Sequence, residues 1–63
     1  MKVRELIRLI EADGWELWRT RGSHRQYKHA HRAGKVTVPG KPNDTLHPKT
    51  LASILRQAGI EKP

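Results

Sequence analysis

The sequence predicts an α+β domain of order αβββα: a three-stranded antiparallel sheet with two helices on one face. Three observations carry that expectation. Apolar residues recur at helical spacing near each end of the chain, and β-favouring residues with turn signals between them fill its middle. Sixty-three residues without a cysteine hold only a small core, with neither a disulfide nor a thiolate metal site to reinforce it.

Val3, Leu6, Ile7 and Ile10 fall at i, i+3, i+4 and i+7, so residues 2–13 read as an amphipathic helix that Gly14 stops. Trp15 to Thr20 favours a strand. Tyr27 and Val36-Thr37-Val38 mark two more, divided by the turn signals Arg21-Gly22 and Ala33-Gly34. A three-residue loop at Arg21-Gly22-Ser23 sets Thr20 opposite His24 and Leu17 opposite Tyr27, which groups Trp15, Leu17 and Tyr27 on one face. A two-residue loop sets Leu17 against Gln26 instead. The first register is preferred, and it places His24, Trp18, Gln26 and Lys28 on the other, exposed face. Pro39 to Asp44 reads as a loop. Pro48 suits the first position of a second helix, whose stripe is Leu51, Ile54, Leu55 and Ala58 and whose stop is Gly59. An antiparallel sheet can stay wet on one face, so both helices are expected on the other. No linker, repeat or low-complexity tract appears, and residues 1–63 read as one domain.

Thirteen Lys and Arg against six Asp and Glu give a formal charge of +7. Ten of the cationic residues, histidines included, lie between Arg19 and Lys41. Such a field attracts polyanions, nucleic acid before an acidic protein. Neither helix has a continuous basic face opposite bulky apolar residues, which disfavours a membrane surface. No run approaches the roughly 18 apolar residues of a bilayer span. The expectation is a soluble, unprocessed, cytoplasmic protein.

Within the cationic stretch, Gly22-Ser23-His24 is the candidate site. Histidine exchanges protons near neutrality, and neighbouring positive charge favours its neutral, proton-accepting form. Arg19, Arg21, Gly22, Ser23, Arg25 and Lys28 are the candidate substrate-binding residues around it. The proton to accept is that of a ribose 2'-hydroxyl, whose attack on the adjacent phosphate builds charge that Arg21, Arg25 and Lys28 stabilise. DNA lacks that hydroxyl. Ser23 adjoins His24, but adjacent strand residues point to opposite faces, so it makes a poor nucleophile. His29 and His31 have the spacing of a shared strand face, yet no Cys, Asp or Glu stands near enough to complete a metal set, and no metal or other cofactor is expected. His47 reads as the residue that opens the second helix. Trp15 reads as core, Trp18 as a stacking surface for a base or a cation, and Lys35, Lys41 and Lys49 as solvated charge. Two non-enzymatic readings stand beside a nuclease: an RNA-binding module without catalysis, and a small protein whose basic face serves an acidic partner.

The ordered set Asp13-Gly14-Trp15, Arg19, Gly22-Ser23-His24, Val36-Thr37-Val38-Pro39 and Leu51 to Ile60 resembles the HicA toxins of bacterial and archaeal toxin-antitoxin systems along nearly the whole chain. The resemblance implies a fold like the double-stranded RNA-binding domain. It also implies an mRNA interferase that blocks translation by cutting transcripts without a known metal requirement. The family's catalytic histidine matches His24, with Gly22 and Ser23 in place beside it, and the implied partner is a HicB-type antitoxin covering the active surface. The strand after the histidine is more polar here, at Arg25-Gln26, than is usual in the family.

Overall fold

The computed structural model describes residues 1–60 and has the expected order: α1 (Val3–Ala12), β1 (Trp15–Arg21), β2 (His24–His29), β3 (Val36–Val38) and α2 (Pro48–Ala58). The strands form one antiparallel sheet in the order β1-β2-β3. Register puts Trp15, Tyr27, Val36 and Val38 on one face, and all four are buried in a single cluster with Val3, Leu6 and Ile10 of α1 and Ile54, Leu55 and Ala58 of α2. Both helices therefore cover the same side of the sheet. The other side carries no helix.

The helix ends explain how the chain is held. At α1 the free backbone donors of Val3 and Arg4 bond the carbonyls of Asp44 and Pro42 at 2.9 and 3.0 Å. The segment expected as a plain loop thus straps the start of α1, and Lys2 forms a β-bridge with Thr45 that carries Leu46 into the core. His47 caps α2, its Nδ1 accepting from the Lys49 backbone N–H at 3.1 Å, with Pro48 in the first turn. At the far end the Ile60 N–H closes onto the Leu55 carbonyl at 2.9 Å. There Trp15 reaches across from the sheet, its indole N–H donating to the Ala58 carbonyl at 3.3 Å.

The hairpin corrects the preferred register. Arg21 pairs with His24 across a two-residue Gly22-Ser23 turn, and Thr20 stands opposite Arg25. Gly22 has φ +58 and Ser23 does not have positive φ, which suits a tight hairpin with glycine first. Leu17 nevertheless pairs with Tyr27 as expected, because a bulge at Trp18 supplies the odd residue that a longer loop would have supplied. Leu17 lies on the helix-side face but is 53% exposed, since burial on the edge strand β1 ends at Trp15.

Two ionisable groups in this frame shift in opposite directions. Burial pushes the Tyr27 phenol above its ordinary value, Glu11 adds to the rise and Arg25 opposes it. The folded phenol keeps its proton where the unfolded one has lost it, so its contribution is complete below the unfolded value of about 10 and is lost as pH rises through the folded one. Wild-type melting temperature should fall more steeply than that of Tyr27→Phe between about pH 9 and 11; equal slopes would show that the phenol does not titrate differently on folding. The Lys2 backbone N–H, 2.8 Å from Glu5 Oε1, holds that exposed carboxyl below its ordinary value. Its contribution is present at neutral pH and is lost on acidification.

Candidate functional site

The helix-free face is built by alternation from the three strands. Along β2 it presents His24, Gln26 and Lys28, and their register partners on β1 are Arg21, Arg19 and Glu16. Thr37 stands opposite Gln26 on the β3 side. His24, Arg19, Arg21, Lys28, Lys35 and Trp18 are all exposed. From Arg19 to Lys41 the sequence contains no acidic residue, so the only carboxylate the strands place on this face is that of Glu16.

His24 opens β2 directly after the turn, with Arg21 across from it. Among the described residues none hydrogen-bonds its imidazole, so both ring nitrogens face solvent or a ligand. Beside it runs an open groove of about 410 Å³. His24, Thr37 and Pro39 line one wall, and Lys49, Thr50, Ser53 and Gln57 of α2 line the other. Lys49, in the first turn of α2, thus shares a groove with the histidine. That placement of Lys49 depends on how α2 lies along β3, and only the basic residue one step after Pro48 hinted at it.

The expected substrate-binding residues divide. Arg21 is beside His24, and Gly22 and Ser23 form the turn that presents it. Ser23 sits in the turn itself rather than on a strand. Arg19 shares the open face and donates from Nε to Gln26 Oε1 at 2.9 Å. Lys28 is on the same face but four residues along the strand from His24, about 13 Å away. Arg25 is the correction: it pairs with buried Val38, points to the helix side, and donates from Nη1 to the Gly40 carbonyl at 3.1 Å. Its charge braces the loop after β3.

Of the other histidines, His47 caps α2 and His29 is fixed within the fold. His29 Nδ1 accepts from the His31 backbone N–H at 2.9 Å, which leaves Nε2 to donate to the Asp13 carbonyl at 2.7 Å. Both ring nitrogens are used, so His29 offers no lone pair to a metal. Its ring packs edge-on to Trp15 with centroids 5.2 Å apart. This contact explains the glycine in Asp13-Gly14-Trp15, since a Cβ at position 14, already at φ +103, would stand 2.6 Å from His29 Nε2. Arg32, which composition counted with the cationic patch, donates to the Ala58 carbonyl. The same nitrogen lies 3.2 Å from Asp13 Oδ2, an ion contact without hydrogen-bond geometry.

Fold and site together define a small αβββα domain with one solvated, cationic sheet face and a single histidine standing free at its turn end. The chain belongs to the HicA toxin family: residues 3–60 match the family model described as the HicA toxin of bacterial toxin-antitoxin. It is a toxin of that pairing, with a cognate antitoxin as its partner. No curated protein matches the chain. No helix among the described residues is long and apolar enough to cross a membrane.

Proposed function

We propose that this toxin is a metal-independent endoribonuclease that blocks translation by cutting mRNA, with His24 as general base. The observation that carries the reading is His24 itself, exposed on the cationic face with Arg21 opposite and Lys49 across the groove. The imidazole takes the proton of a ribose 2'-hydroxyl as that oxygen attacks the adjacent phosphorus. Charge gathers on the non-bridging oxygens, where Arg21 and Lys49 stabilise it. The bond to the 5'-oxygen then breaks, leaving a 2',3'-cyclic phosphate on one fragment and a 5'-hydroxyl, protonated from water, on the other. The cationic open face holds the RNA strand, and the antitoxin, of HicB type, covers the same surface in the cytoplasm.

General-base catalysis is worth about 10²–10⁴-fold. His24→Ala, matched to wild type by circular dichroism, should lose RNA cleavage by that factor and no longer arrest growth on expression. Equal cleavage by both proteins would remove His24 from the mechanism, and RNA binding by wild type without turnover would make the protein an RNA-binding module instead.

A further inference from the structure

At the end of the open face away from His24, three cations converge on one ring. Trp18 is the residue added by the β1 bulge and is 42% exposed. Lys28 Nζ lies 3.9 Å from the centre of its ring, Lys35 Nζ 4.4 Å and Arg19 Cζ 4.7 Å. The three come from different segments: β1, β2 and the stretch leading into β3. Glu16 stands opposite Lys28 in the register, yet among the described residues Lys28 joins no ion pair.

Like charges gathered this closely repel. The π-system of the exposed indole attracts each cation without neutralising any of them. An anion seated there completes the balance, and charge-assisted bonds from two ammonium groups and a guanidinium suit phosphate oxygens. The spot is about 13 Å from His24 along β2, too far to touch the phosphate at which His24 acts.

We propose that Trp18, Lys28, Lys35 and Arg19 form a second subsite that grips a non-scissile phosphate of single-stranded RNA and so fixes the path of the strand across His24. Trp18 is the positioning residue, and the three cations make the contact. The bulge serves this subsite by turning an extra side chain onto the open face. The inference rests on RNA being the substrate.

The test is anisotropy of a fluorescein-labelled single-stranded RNA oligonucleotide with full-length protein carrying His24→Ala, so that nothing is cut, over a series of salt concentrations. Each phosphate neutralised on a single strand contributes about 0.7 to the slope of log K against log salt. Lys28→Ala/Lys35→Ala in that background should weaken binding several-fold and flatten the slope by about 0.7. Trp18→Leu should weaken binding, and Trp18→Phe, which keeps an aromatic face, should restore it. An unchanged slope in a double variant that folds normally overturns the subsite while leaving the nuclease reading intact. Failure of the His24→Ala protein to bind RNA at all overturns both.

Discussion

Trp15→Ala is expected to remove about 3–5 kcal/mol from the fold and to lower its melting temperature steeply. Trp15 is 1% exposed, and it joins the start of β1 to the last turn of α2 through its bond to Ala58 and to the end of β2 through its contact with His29. Truncating a buried tryptophan costs about 3–5 kcal/mol. A domain of this size has about 3–9 kcal/mol in total, at roughly 0.05–0.15 kcal/mol per residue. The orphaned carbonyl of Ala58 keeps Arg32 as a donor, so the loss is one of packing more than of hydrogen bonding. Circular dichroism against temperature reads the result directly. A cooperative melt close to wild type would mean that the core closes without this side chain.

Arg21→Ala and Arg25→Ala should separate two roles that adjacency in sequence joins. Arg21 shares the open face with His24, and removing a donor aimed at developing negative charge costs about 10²–10³ in kcat. Arg25 faces the helix side and holds Gly40, so its removal should appear in melting temperature. Single-turnover cleavage and thermal melts of both variants give four numbers. A large kcat loss in Arg25→Ala at unchanged stability, or none in Arg21→Ala, would reverse the assignment.

The same pair of arginines shows how far the sequence was legible. Periodicity found both helices and their buried stripes, because an amphipathic helix needs only local spacing to declare its face. It also put His24, Trp18, Gln26 and Lys28 on the exposed side, which the register confirms. Charge density then named every arginine near His24 as a substrate contact, and alternation along β2 turns Arg25 away. The Trp18 bulge was hidden because a single inserted residue depends on cross-strand fit, and the residue it inserts decides which side chains face outward. Lys49 reads from the sequence only as solvated charge for a related reason: which α2 residues line the groove beside the histidine is a packing outcome. Arg32, which composition counts within the cationic stretch, is committed to Asp13 and Ala58, a long-range contact that no local pattern encodes.

The claim that His24 takes a proton from the attacking ribose is tested most directly on the substrate. An RNA oligonucleotide with one mapped cleavage position is compared with the same strand carrying a single 2'-deoxyribose on the 5' side of that linkage. Wild-type protein should cut the first and leave the altered linkage intact, while other positions in the strand react as before. Cleavage of the deoxy linkage at the original rate would contradict the account, since no 2'-hydroxyl would then be available for His24 to activate.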